Sequence, residues 1–183
     1  MKSGVRYMAI ASGPIGNRKR TLLIGLVFRE GYLEGMLSTD IAVDGTDSTD
    51  KIIRMMSRSR FREQMRVILS NGIALAGLNV MSPETVERKL GISMLLMNRR
   101  RQNPKELINA LKEFSRITGK DVKERIRIIK DYGIRPVRAN GMYIQSGMDR
   151  RDIRIFAARA FEALRMAHIV ASGFSTGESR GRL

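Results

Sequence analysis

The sequence predicts an α/β domain built on a mixed sheet with helices on both faces. Three observations carry this reading. Two strand-like segments meet at a tight turn, Glu30-Gly31. Helix-period and strand-like segments then alternate along the chain. Finally, 43% of the 183 residues are hydrophobic, enough for one ordinary core, so residues 1–183 read as a single domain.

Residues 5–10 are short, apolar and partly β-branched, a first strand stopped by the turn cluster Ser12-Gly13-Pro14-Ile15-Gly16-Asn17. Residues 21–29 form a nearly continuous apolar run, as an interior strand buried on both faces requires. After the turn, residues 32–43 read as a third strand, antiparallel to the second. Residues 44–50 open a helix. Asp47 is its expected N-cap, Asp50 falls where a capping box places its acid, and Ile52, Ile53, Met55 and Met56 supply the buried face. Residues 65–70 are a fourth strand, ended by Asn71-Gly72 and followed by an apolar segment at 73–80. Ser82-Pro83-Glu84 starts a helix that Gly91 closes. Residues 92–97 are a fifth strand. Residues 104–117 and 121–132 are helical, with Gly119 between them. Asn140-Gly141 sets a small hairpin between 134–137 and 142–145. A long late helix spans 149 to about 172, with a break allowed near Phe161. A loop follows at 172–177, and residues 178–183 form a polar, mobile tail.

The order is β-β-β-α-β-α-β, then helices and a small C-terminal hairpin. That is the ribonuclease-H-like arrangement, a mixed five-stranded sheet flanked by helices. In it the first and fourth strands lie side by side. Their C-terminal ends, near Ser12 and Asn71, then share the rim where open α/β sheets place their sites.

Composition narrows the function. Lys+Arg total 34 against Asp+Glu 18, a net charge of +16, which favours a polyanionic partner and salt-dependent binding. The plainer reading is a solvated cationic surface. Aromatics are only 5%, which disfavours binding of single strands by base stacking alone. No apolar run is long enough to span a bilayer and the N-terminus does not read as a secretory signal, so the expected location is the cytoplasm. With no cysteine, disulfides, thiolate metal sites and a cysteine nucleophile are excluded. The 12 methionines read as core filler.

Several stretches resemble the archaeal endonuclease dU family, relatives of endonuclease V. They fall at residues 32–39, 43–50, 62–69, 76–80 and 164–172, in family order over nearly the whole chain. The most specific are Val43-Asp44-Gly45-Thr46-Asp47-Ser48-Thr49-Asp50 and Arg165-Met166-Ala167-His168-Ile169-Val170-Ala171-Ser172. The resemblance implies the ribonuclease-H-like fold and metal-dependent DNA repair, with hydrolysis of a phosphodiester near a deoxyuridine-type lesion. It implies DNA as partner and Mg²⁺ or Mn²⁺ as cofactor. Two positions depart from the family pattern. Ala11-Ser12-Gly13-Pro14 stands where many relatives carry an Asp-Asp-Gly-Pro-like turn, and Asn71-Gly72 where many carry Asp-Gly. Phosphodiester hydrolysis with a dication needs hard anionic oxygens, and Ser12 and Asn71 offer neutral ones, so metal should bind weakly.

The candidate site follows. Ser12, Gly13, Asn71 and Gly72 line it. Asp47 and Asp50 are the candidate metal ligands and, with His168, the candidate catalytic residues. The plainer roles are helix capping for Asp47 and Asp50, and core packing for His168, the only histidine. Arg58, Arg60, Arg62 and Arg66 form one basic group and Arg99, Arg100 and Arg101 another. Either can grip phosphates, and either can be a solvated face. Two functions from different classes result. One is a DNA repair endonuclease. The other is a non-catalytic nucleic-acid-binding module on a nuclease-like fold. An RNA-directed enzyme is a third.

Overall fold

The computed structural model describes residues 5–179; the expected tail beyond residue 179 lies outside them. Strands β1 (Arg6–Ser12), β2 (Arg20–Arg29) and β3 (Tyr32–Ala42) form an antiparallel meander. Helix α1 (Ser48–Ser57) leads through a short 3₁₀ turn (Arg62–Gln64) to β4 (Met65–Ser70). The two-residue strands β5 (Ala74–Leu75) and β6 (Asn79–Val80) pair with each other. Helix α2 (Pro83–Leu90), strand β7 (Ser93–Asn98) and helices α3 (Pro104–Thr118) and α4 (Lys123–Asp131) follow. The hairpin β8 (Val137–Ala139) and β9 (Met142–Gln145) precedes the long helix α5 (Arg150–Thr176).

The main sheet has seven strands in the order β3-β2-β1-β4-β7-β9-β8. β1, β4 and β7 run parallel, with Ile10 beside Ser70 and Ser70 beside Leu96. The expected five strands are the first five of this sheet. The hairpin, expected as a separate feature, docks β9 on β7, pairing Met97 with Ile144. The outer edge of β7 would otherwise leave backbone donors and acceptors unpaired, and β9 satisfies them. The first hairpin strand begins at Val137, not at 134, because Pro136 has no N–H to give a ladder.

Alternation along the strands sorts the core into two layers. Tyr7, Ala9 and Ala11 face α5, while Met8 and Ile10 face α1 and α2. Both sets are buried, which is why the central strands read as continuous apolar runs. A smaller cluster of Val80, Leu111, Val122 and Ile129 joins α3 and α4 to β6. Arg125 clamps this lobe: its Nη1 donates to the carbonyls of Asp44 (3.0 Å) and Leu78 (3.1 Å), and its guanidinium lies over the Phe114 ring.

Helix α5 is continuous through Phe161, and it includes most of the segment expected as a loop at 172–177. Gly173 lies inside it, and its backbone carbonyl accepts the 2.8 Å bond from the Gly177 N–H that ends the helix. Packing overrides the local glycine signal. Ala157, Ala160, Ala163, Ala167 and Ala171 put an unbroken small-residue face against β1 and β2, and all five are buried. That face lets the helix axis approach the sheet closely.

Ala160 is fully buried. Replacing it with leucine should destabilise the fold by about 1–3 kcal/mol through overpacking, read as a lower urea midpoint with an unchanged slope.

Candidate functional site

Parallel β1, β4 and β7 end on one edge, so Ser12, Asn71 and Asn98 follow one another along a single rim. The C-terminal part of α5 passes beside it. A side chain at Gly13 would collide with Ser175 Oγ and Thr21 Oγ1, so glycine lets the turn after β1 seat against the helix end. Leu164 of α5 borders a cleft with Asn71 and Asn98. His168 lies between Leu164 and Ser175 on the helix, one turn from the first and two from the second, which sets it over the rim. Its Nε2 is buried without a hydrogen-bond partner among the described residues, as is Ser175 Oγ. Burial holds the His168 imidazole below its ordinary pKa, so it is neutral at pH 7.

The acids are arranged differently. Asp47 stands at the N-cap position of α1, yet its carboxylate makes no capping bond. It accepts instead from the Ala42 N–H (3.1 Å), Asn79 Nδ2 (2.8 Å) and Arg20 Nη2 (3.2 Å). Burial pushes its pKa up, but bonds from Asn79, Ala42 and Arg20 outweigh this and hold it below the usual carboxylate range. Asp44 is likewise engaged, accepting from the Leu78 N–H at 2.8 Å. Ser12 Oγ accepts from the Ala76 N–H at 3.0 Å, and the Ala76 carbonyl accepts from the Asp44 N–H at 3.0 Å. The turn joining β5 to β6 is thus stitched between Ser12 and the Asp44 loop. Asp50 is exposed on the first turn of α1. Among the described residues, no three His, Asp or Glu side chains gather as a metal-holding group.

The two arginine groups lie at opposite ends of the sheet. Arg99 and Arg100 border the cleft shared by Asn71, Asn98 and Leu164, and Arg99 stacks over the Phe161 ring at 5.3 Å. Arg101 borders a larger cleft of about 810 Å³ beside Asn71 and Gly72. Arg58 lies in a separate groove beside β3, with Lys51 and Arg54. Arg60 covers Phe61, and Arg62 precedes β4, at the end of that strand away from the rim.

The structure therefore joins Ser12, Gly13, Asn71, Gly72, Arg99, Arg100 and Arg101 along one edge, with His168 above it. It leaves Asp47 tied into the β3–α1 loop and Asp50 exposed on the first turn of α1. Sequence reasoning missed Asn98, Gln102 and Ser175. The signal for Asn98 was a polar residue closing an apolar strand whose end reaches the rim. For Ser175 there was none, because its role depends on how α5 crosses the sheet. The rim offers hydroxyls, amides and guanidinium groups. These hold phosphates and hydrogen-bond heterocycles, and they contribute no negative charge toward a dication.

Residues 3–175 match the model of a family described as Endonuclease dU. A UPF0215 protein of Methanothermobacter thermautotrophicus is 37% identical, over 99% of this chain and 93% of its own. One from Pyrococcus furiosus is 34% identical, over 98% of this chain and 96% of its own. A solved Archaeoglobus fulgidus protein of unknown function is similar with a TM-score of 0.84 at 30% identity, covering 94% of this chain and 99% of its own. Human endonuclease V gives a TM-score of 0.56 at 13% identity, covering 92% of this chain and 83% of its own, a likeness of fold. Ciona intestinalis endonuclease V, crystallised with a 23mer DNA containing an inosine followed by a ribo-adenosine, gives 0.52 at 9%, covering 90% and 82%.

Two outcomes follow from this geometry. Asp47→Ala should cost about 1–3 kcal/mol in urea unfolding by stranding the Ala42 and Asn79 donors, while Asp50→Ala should stay within roughly 0.5 kcal/mol. The unfolded chain binds a proton at His168 more readily than the folded chain does. Stability should therefore fall as pH drops below the ordinary value of 6.5, and His168→Gln should flatten that acid limb in a melting series.

Proposed function

Because this chain belongs to the endonuclease dU family, we propose that it is a nucleic-acid-binding member of it, gripping DNA at the nuclease-like rim without metal-dependent hydrolysis. The observation that carries this is the chemistry of the rim itself. Ser12, Asn71 and Asn98 present neutral oxygens and nitrogens where β1, β4 and β7 end, with Arg99, Arg100 and Arg101 beside them. Guanidinium groups bind phosphate oxygens in forked pairs. The net charge of +16 supports the same partner, as does the DNA held by the Ciona relative.

The family and fold imply a divalent ion, and the donor set does not fit one. A Mg²⁺ or Mn²⁺ site on a phosphodiester relies on carboxylates to hold the ion. Asp44 and Asp47 are held by protein hydrogen bonds, Asp50 is exposed on α1, and no three acids or histidines gather as a metal-holding group among the described residues. The family match over residues 3–175 favours the other reading, a repair endonuclease acting at deoxyuridine-type lesions.

One experiment separates them. Labelled uracil-containing DNA is titrated with the protein across a salt series, with and without MnCl2, and the products are run on a denaturing gel. Binding should weaken steeply with salt and no cut strand should form. Replacing Arg99, Arg100 and Arg101 by glutamine should reduce the log–log salt slope by roughly 2–3 units. Ser12→Asp combined with Asn71→Asp should create a Mn²⁺-dependent rise in Tm that the unaltered chain lacks. Cleavage in Mn²⁺ that Asp50→Ala abolishes would establish the endonuclease instead.

A further inference from the structure

Strand β3 is the outer edge of the seven-stranded sheet, and no described strand pairs with its far side. An edge strand presents a row of backbone N–H and C=O groups that are free to pair. At 11 residues β3 is long for an edge, where short or covered strands are the usual protection. A bulge beside Glu34 interrupts its ladder with β2, and from Gly35 to Ala42 the register is regular.

Helix α1 runs back along this strand. Near the start of the helix, Lys51 Nζ donates to Asp40 Oδ1 at 3.2 Å; beyond its end, the Phe61 ring fills the space a side chain at Gly35 would need. Lys51, Arg54 and Arg58 are spaced i, i+3 and i+7, so they form one stripe on α1. With Leu37 and Thr39 they line a groove of about 320 Å³ between the helix and the strand edge. No carboxylate lines this groove. Arg54 and Arg58 are exposed and make no ion pair with a described residue.

The other face of β3 is apolar and open. Leu33 and Met36 pair with Phe28 and Leu26, whose side chains pack beneath α5, so both point to that side of the sheet. Helix α5 packs on β1 and β2 there and leaves Leu33 49% and Met36 45% exposed.

These features select the occupant. A phosphodiester backbone suits the cations, but it offers only acceptors to an edge whose carbonyls need donors, and it has nothing apolar for Leu33 and Met36. A second copy of the chain supplies both donors and acceptors. Antiparallel pairing of β3 with its copy, about a two-fold axis normal to the sheet, puts both α1 helices on one face. Two cationic stripes then oppose each other, on molecules that carry +16 each. An extended peptide matches the repeat of the edge, and its side chains alternate between the two faces. Acids at every second position meet Lys51, Arg54 and Arg58, and apolar residues between them cover Leu33 and Met36.

We infer that β3 and α1 form a docking edge for an extended segment of a partner protein, one in which acidic and apolar residues alternate and which joins the sheet as a further strand beside β3. The groove shares no residue with the clefts of the rim, so failure of the nucleic-acid reading leaves this edge untouched.

The test uses the full chain and short fluorescein-labelled peptides followed by fluorescence anisotropy. In one peptide glutamate and valine alternate; in the other the same residues stand in two blocks. The alternating peptide should bind about tenfold more tightly than the blocked one. Methylating the backbone nitrogens of one alternate set of its residues should abolish binding, and methylating the other set should not, because only one set faces the edge. Arg54→Glu combined with Arg58→Glu, both at exposed helix positions, should weaken binding about tenfold. No binding of the alternating peptide, equal binding of the two peptides, or binding that survives methylation of either set would overturn the docking edge. If the paired substitution leaves peptide binding intact and lowers affinity for a labelled DNA duplex, the groove serves nucleic acid and the docking edge fails. A concentration-dependent dimer in sedimentation that excludes the peptide would give the edge to a second copy and overturn it as well.

Discussion

The parallel pairing of β1 with β4, with Ile10 beside Ser70, is the constraint on which the rest of this molecule depends. It brings two turns far apart in sequence, at Ser12 and Asn71, to one edge. It also buries β1 on both faces, so α5 must cover one side and α1 with α2 the other. The alanine face of α5 follows from this demand, and so does the passage of His168 across the rim. Tyr7 stacks on Phe28 and meets Phe156 edge-on, which ties β1, β2 and α5 into one packed unit.

The rim inherits its chemistry from the residues that end those strands. In a ribonuclease-H-like nuclease that position calls for acids. Here it carries a hydroxyl and two amides, and the nearby acids serve the backbone. Asp44 and Asp47 hold the β5–β6 turn, Asn79 and the end of β3 in place. A carboxylate that satisfies backbone donors in a half-buried loop holds that loop in place. The same edge is rich in guanidinium groups. Negative charge is scarce and positive charge abundant along this edge, which suits the phosphate backbone proposed as its partner.

Much of this was legible in the chain. Gly91 and Gly119 mark real helix ends, and Ser82-Pro83-Glu84 and Asn103-Pro104 mark real starts, because capping chemistry is local. The neutral rim at Ser12 and Asn71 was also readable, since turn residues after apolar strands must lie at strand ends. The loop expected at 172–177 and the break near Phe161 were misjudged because a glycine signal is weak beside a continuous buried face. The capping role of Asp47 was misjudged for a related reason: its carboxylate found stronger partners in Ala42, Asn79 and Arg20, and Asn79 is 32 residues away.

The amino-acid sequence by itself determined the element order, the two-faced burial of the central strands, the family and the missing acids of the rim. These follow from periodicity, turn chemistry and residue identity, all of which act over short stretches of chain. Only the tertiary structure decided which arginines share that rim, that β8 and β9 extend the sheet, and that His168 Nε2 and Ser175 Oγ are buried without a partner among the described residues. Those facts depend on which distant segments touch, and that is set by the registers of β1 on β4 and of β4 on β7 and by the path of α5, none of which any local stretch encodes.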